Sequence, residues 1–250
     1  MTTVILLRHG RSTANVSGVL AGRTPGVALD EHGRGQAEKL VERLEALPLA
    51  AAVTSPLLRC QETLAPLLAA RGLTATEEPD TVEVDYGDWT GKGLGELGKE
   101  DLWKVVQAHP SAAVFPGGEG LAAMQARSVA AVRRHAARIA AEHGDKALWV
   151  LCSHGDVIKS VVADALGLHL DSFQRIVVDP CSVSVISYTP TRPFVVRVND
   201  TGGDLSALVP KPDEPAAEGG GEGGDEAGET TTEAAVSAGD AVIGGSTGVP

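Results

Sequence analysis

Cysteine, aromatic residues and long apolar runs are all scarce in this 250-residue sequence. Its three cysteines, Cys60, Cys152 and Cys181, show no CxxC spacing, which argues against a zinc knuckle or a disulfide framework. No stretch is long and apolar enough to cross a bilayer, and no basic segment with a cleavage site marks the N-terminus. We therefore expect a reduced, cytoplasmic protein with no membrane partner.

Positive charge is also scarce: 21 Lys and Arg residues face 33 Asp and Glu residues, for a net charge of −12. Nine of the acidic residues and ten of the glycines lie in residues 210–250, which contain no aromatic residue. That composition predicts a disordered, acidic, glycine-rich tail. Residues 1–209 are only mildly acidic, predict a single catalytic domain, and show no nucleic-acid footprint.

Apolar runs and helical periodicity alternate along residues 1–209, which predicts an α/β fold. We expect a three-layer sandwich, with a mostly parallel central sheet and helices on both faces. The predicted strands are 4–7, 51–54, 74–77, 147–152, 182–188 and 194–198. The predicted helices are 31–47, 56–71, about 99–109, 119–143 and 156–166, with Leu57 and Leu58 of the second helix facing inward.

Two of these strands end in the same way. Arg8, His9 and Gly10 follow the first strand, and Ser153, His154 and Gly155 follow the fourth. Because the carboxyl ends of parallel strands bind ligands in open α/β sheets, both histidines are expected at one site.

The residue types in this arrangement suit phosphoryl transfer without a metal. The guanidinium groups of Arg8 and Arg59 can bind a tetrahedral dianion bidentately, and His154 can add a hydrogen-bond donor. The same cations disfavour protonation of His9, which keeps its ring nucleophilic. Glu83 is the best-placed acid to protonate the leaving group.

A family resemblance supports this interpretation. Arg8-His9-Gly10, Asn15, Gly22-Arg23, the Ser-Pro-x-x-Arg-x-x-x-Thr segment at residues 55–63, Glu83 ahead of Gly87-x-Trp89-x-Gly91, and Ser153-His154-Gly155 occur in that order. In these motifs the chain resembles the phosphoglycerate mutase-like branch of the histidine phosphatase superfamily, over residues 3 to about 198. The resemblance implies that His9 is the phosphorylated nucleophile, Glu83 the proton donor, and Arg8, Arg59 and His154 the phosphate pocket. It further places Asn15, Arg23 and Gly155 at the substrate.

Several functions remain open at this point. The segment between Glu83 and His154 is short for a mutase, and residues 84–118 offer only Lys92, Lys99 and Lys104 as cations. The sequence therefore favours a hydrolase of small phosphate monoesters, with no metal and no cofactor. The alternatives are a phosphoglycerate mutase or related phosphomutase, a catalytically silent phosphate-binding protein, and a metallohydrolase using His9, His154 and Asp156. No oligomeric state is assigned.

Overall fold

The computed structural model describes residues 2–203, which form six strands and seven α-helices. The strands are β1 (Thr2–Arg8), β2 (Leu49–Thr54), β3 (Ala75–Glu77), β4 (Leu148–Ser153), β5 (Val183–Tyr188) and β6 (Pro193–Asp200). The helices are α1 (Thr13–Ser17), α2 (Glu31–Arg43), α3 (Leu58–Arg71), α4 (Leu94–Leu97), α5 (Asp101–Ala108), α6 (Leu121–His143) and α7 (Gly155–Leu166). The predicted tail at 210–250 lies outside the described residues.

One sheet contains all six strands in the order β3-β2-β4-β1-β5-β6. The pairs β2–β3, β2–β4 and β1–β4 are parallel, whereas β5 runs antiparallel to both β1 and β6. The predicted, mostly parallel α/β sheet is confirmed. Because β1 and β4 lie side by side in its centre, their carboxyl ends open at the same edge.

Helices cover both faces of this sheet. Along β1, Val4 and Leu6 pack into a cluster with residues of α5, α6 and α7, while Ile5 and Leu7 pack against α2 and α3 on the other face. All four side chains are buried, as expected for a central strand with period-two alternation and two covered faces. The three-layer arrangement is therefore the observed one.

Two predicted helix boundaries are wrong, and a third is displaced by two residues. Helix α2 ends at Arg43 rather than Leu47, because Leu44 leaves helical geometry and the chain turns before β2. Helix α3 begins at Leu58 rather than at Pro56, because the amide of Ser55 still hydrogen-bonds to the carbonyl of Cys152 in β4 and Leu57 remains extended.

The start of α3 also changes the predicted burial. Leu58 stands at the first helical position and is exposed, so it does not face inward as predicted. Helix α6 begins at Leu121 rather than Glu119, because Val114 pairs with Gly120 in a short antiparallel bridge. Glu119 therefore lies in the segment before α6 and not in the helix itself.

Other local features follow the sequence. Asp30 caps α2 by accepting a hydrogen bond from the amide of Gly33, and Gly72 ends α3 with φ of 61°. The three cysteines are buried and free. Within residues 2–203, the structure contains no helix with the length and apolar character needed to span a membrane.

Candidate active site

The sheet register sets the two strand-end histidines side by side. Arg8 of β1 is paired with Ser153 of β4, and the amide of His9 donates to the carbonyl of Ser153 at 3.0 Å. The ring centroids of His9 and His154 are 5.3 Å apart. The convergence expected from the two strand ends is thus present in the structure.

The hydrogen bonds of His9 define which ring nitrogen carries the proton. Its Nδ1 lies 2.8 Å from the carbonyl oxygen of Gly10, which can only accept, so Nδ1 is assigned as the donor. The lone pair therefore resides on Nε2, which accepts from Nε of Arg59 at 3.3 Å. Burial, together with the charges of Arg59 and Arg8, holds the pKa of His9 well below its usual value. The imidazole is neutral and presents an unprotonated nitrogen.

Arg59 occupies the second position of α3 and connects both histidines. Its Nη2 donates to the carbonyl of Gly22 at 2.9 Å and lies 3.2 Å from Nδ1 of His154. Its buried Nη1 has no hydrogen-bond partner within the part of the chain that the structure describes. Because buried donors are nearly always satisfied, this nitrogen indicates a place for an anionic oxygen.

His154 supports Arg59 from the far side. Its Nδ1 faces Arg59, and its Nε2 lies 2.8 Å from the hydroxyl of Ser55. Burial and the charge of Arg59 lower the pKa of His154 well below its usual value, so this ring too is neutral. In this arrangement both ring nitrogens are engaged by protein groups.

Arg8 adds a second buried cation. Its side chain is inaccessible to solvent, and its Nη1 donates to the carbonyl of Val178 at 2.7 Å. Burial lowers the pKa of Arg8 to about 10, which leaves the guanidinium charged at neutral pH. Two arginines therefore supply positive charge around His9 without solvent screening.

Glu83 is the residue predicted to act as the acid at this site. It is buried, and its Oε1 accepts from the amide of Val84 at 3.0 Å. Burial and the charge of Asp156 raise the pKa of Glu83 to about 7, although the charges of Arg59 and Arg8 oppose the rise. A carboxyl group with this pKa can both give and take a proton near neutral pH.

The charge of Asp156 helps to raise the pKa of Glu83, and the sequence did not predict this role for it. It lies in the first turn of α7 and is fully buried, accepts from the hydroxyl of Tyr86 at 2.8 Å, and has Nζ of Lys159 at 3.6 Å. Its position directly after Ser153-His154-Gly155 was the available signal. No sequence pattern linked it to Glu83, which lies more than 70 residues away in the chain.

A family match covers almost the whole of the described chain. Residues 4–201 match the family model of the histidine phosphatase superfamily (branch 1). The chain belongs to the histidine phosphatase superfamily. The predicted family and enzyme class are thereby confirmed.

Three relatives illustrate the range of this superfamily. Phosphoserine phosphatase 1 of Hydrogenobacter thermophilus is 29% identical over 80% of this chain and 93% of its own. The probable phosphoglycerate mutase GpmB of Cronobacter sakazakii is 29% identical over 87% of this chain and 98% of its own. The structure of Bacillus stearothermophilus YhfR is 28% identical, with a TM-score of 0.73 over 80% of this chain and 98% of its own.

The three residues expected at the substrate of this histidine phosphatase have different surroundings. Asn15 accepts from the amide and hydroxyl of Ser12 through Oδ1. Gly155 is buried as the first residue of α7. Arg23 is partly exposed, and its Nε donates to the main-chain carbonyl of Glu83 at 2.9 Å. Their contact with substrate stays a prediction.

Proposed function

We propose that this histidine phosphatase hydrolyses small phosphate monoesters through a phosphohistidine on His9. The observation that carries the proposal is the state of His9: a neutral ring with Nδ1 committed to the carbonyl of Gly10 and the lone pair of Nε2 facing Arg59. A nucleophile with its lone pair beside a guanidinium group is suited to attack a phosphorus atom whose oxygens that guanidinium binds.

In the first step Nε2 of His9 attacks phosphorus, and the bond between phosphorus and the ester oxygen breaks. The oxygens of the transferring phosphoryl group gather negative charge, which Arg8 and the unpartnered Nη1 of Arg59 neutralise. The carboxyl of Glu83 gives its proton to the departing alkoxide, which leaves as an alcohol. The result is a phosphohistidine and a deprotonated Glu83.

In the second step water attacks the phosphohistidine. Glu83, now a carboxylate, takes a proton from the water as its oxygen bonds to phosphorus, and the bond between phosphorus and Nε2 breaks. Inorganic phosphate leaves, and both His9 and Glu83 return to their starting protonation states. A pKa of about 7 suits Glu83 to act as acid and then as base.

A phosphomutase is the second candidate, since one relative is named a probable phosphoglycerate mutase. A mutase must hold its intermediate away from water and bind the second anionic group of the substrate. Of the cations in residues 84–118, Lys92 is partly exposed, Lys99 and Lys104 are exposed, and Lys104 pairs with Asp101. This segment therefore offers no arginine to bind a second anion, and the hydrolase is favoured.

Phosphate release from p-nitrophenyl phosphate and from a panel of phosphorylated metabolites, each in the presence of EDTA, tests the proposal. We expect turnover in EDTA, trapping of acid-labile phosphate on the protein, and loss of both in His9→Ala. The matched control is His32→Ala, because His32 is exposed on α2 and should leave turnover unchanged.

Each alternative has its own signature in the same experiment. Binding of phosphate without turnover of any monoester would establish the silent binder. Activity that EDTA abolishes and a divalent cation restores would establish a metallohydrolase. Interconversion of 2- and 3-phosphoglycerate well above the rate of phosphate release would establish a mutase.

A further inference from the structure

The guanidinium group of Arg127, in the second turn of α6, uses all of its hydrogen-bonding capacity on Glu119 and on the segment that carries Glu83. Nη1 donates to the carbonyls of Asp80 and Val82 at 2.7 and 2.8 Å, and Nη2 donates to the carbonyl of Glu83 at 3.1 Å. Nε and Nη2 also donate to the two carboxylate oxygens of Glu119 at 3.1 and 2.6 Å. An arginine has five N–H donors, and each has an acceptor here.

Arg23 approaches the same place from the other side. Its Nε donates to the carbonyl of Glu83 at 2.9 Å, and its Nη2 donates to Glu119 at 2.7 Å. Glu119 also accepts from the amide of Asp85 at 3.0 Å. Two guanidinium groups and one carboxylate thus fix the backbone immediately before, at and after Glu83.

The charges of this cluster are balanced within it. Glu119 pairs with both arginines, and Asp85 lies 3.6 Å from Arg23. Although burial acts to raise it, the hydrogen bonds from Arg127 and from the amide of Asp85 hold the pKa of Glu119 below its usual value, so Glu119 stays charged. Both arginines reach the main-chain carbonyl of Glu83, not its carboxylate, and so they orient the acid without forming an ion pair with it.

We infer that Arg127, together with Glu119, is a positioning residue for the proton donor. It holds the carbonyls of Asp80, Val82 and Glu83 so that the Glu83 carboxyl stays directed at the oxygen of the departing alcohol. The inference rests on the proposed function, because it gives Arg127 a role only in the steps in which Glu83 gives or takes a proton. It goes beyond that function by assigning a residue that does not touch the substrate.

Leaving groups of different basicity separate positioning from general structural support. An alkoxide is a poor leaving group and needs the proton of Glu83, whereas p-nitrophenolate departs with little help. Displacement of a catalytic group by about 1 Å can cost about 100-fold in rate. Loss of Arg127 should therefore slow alkyl esters selectively.

The experiment compares kcat/KM for a simple alkyl phosphate and for p-nitrophenyl phosphate in the full chain and in Arg127→Gln, because kcat/KM reports transfer to His9 and not the later hydrolysis that both esters share. We expect kcat/KM to fall about 10- to 100-fold for the alkyl ester and to stay within about threefold for the nitrophenyl ester. Glu83→Gln should show the same selectivity, and adding Arg127→Gln to it should cause little further loss. The matched control is Arg133→Gln, since Arg133 lies on the same helix and pairs with Asp164.

Equal loss for the two esters, or no loss for either, would overturn the inference. If Arg127→Gln does not fold, Arg127→Lys and Glu119→Gln are held to the same criterion, and nitrophenyl turnover reports whether their sites are intact. Failure of the proposed function looks different, because the unaltered chain would then hydrolyse neither ester or His9→Ala would keep its activity.

Discussion

Replacing Glu83 by Gln should stabilise the protein while it removes the proposed proton donor. Gln keeps the shape of Glu83 and can accept from the amide of Val84 through its own Oε1. It removes only the buried charge. Because the pKa of Glu83 is raised on folding, the folded state binds its proton more tightly than the unfolded state does.

The sign and size of the effect follow from that pKa. The wild-type protein gains this contribution fully below a pH of 4.5, and loses it as pH rises through about 7. A difference of one in pKa is worth about 1.4 kcal/mol, so the rise in the pKa of Glu83 from 4.5 to about 7 corresponds to slightly more than about 3 kcal/mol. The pH-dependent advantage of Glu83→Gln should therefore be below about 1 kcal/mol at about pH 5 and near 3 kcal/mol at about pH 8.

Urea unfolding of both proteins at the two pH values measures this difference. In a chain of this size about 3 kcal/mol corresponds to a rise in Tm of about 6–12 °C, which thermal unfolding also resolves. Alkyl phosphate turnover by the variant should fall about 100-fold or more. If the stability difference between the two proteins were the same at both pH values, Glu83 would have an ordinary pKa and would not be protonated near neutral pH, as the proposed proton donor must be.

Substitutions of Asp156 and of two glycines in α2 test two further features of the structure. Asp156→Asn removes the charge that helps to raise the pKa of Glu83, so the decline of alkyl phosphate turnover with rising pH should move to lower pH; an unmoved pH profile would remove Asp156 from the site. Gly33→Ala places a Cβ 2.0 Å from the carbonyl oxygen of Arg11, whereas Gly35→Ala in the same helix meets nothing within 4 Å. The first should destabilise by about 2 kcal/mol or more and the second should stabilise by about 0.5–1 kcal/mol, and thermal unfolding that ranked the two variants the other way would contradict the close approach of α2 to residue 11.

The central part of the fold could be predicted because its signals are local. The runs at 4–7 and 147–152 are continuous and apolar, as interior parallel strands require. The histidines that follow them were expected at one site because ligands bind at the carboxyl ends of parallel strands. Helix α1 was missed because it has five residues and no apolar periodicity; a capping box between Ser12 and Asn15 stabilises it instead.

The remaining parts depend on contacts between distant segments. Helix α3 starts late because Ser55 continues the ladder beside β4, which no property of Pro56 reveals. Glu119 was placed in α6 by its neighbours, yet its carboxylate binds Arg23 and the amide of Asp85. Sequence periodicity reports the buried face of a helix but not the partner of an isolated charge.

The pairing of Arg8 with Ser153 has a consequence for how this enzyme acquires its chemistry. The hydrogen-bonded register of β1 and β4 sets the distance between the two imidazoles. A slip of β1 by one residue relative to β4 would therefore turn His9 to the opposite face of the sheet. Loops around the site can therefore change in length and sequence while the distance between the rings of His9 and His154 stays constant. For the same reason the site cannot form in advance of the core: the amide of His9 is a ladder donor to Ser153, and its protection from hydrogen exchange should rise together with that of β4 as the chain folds.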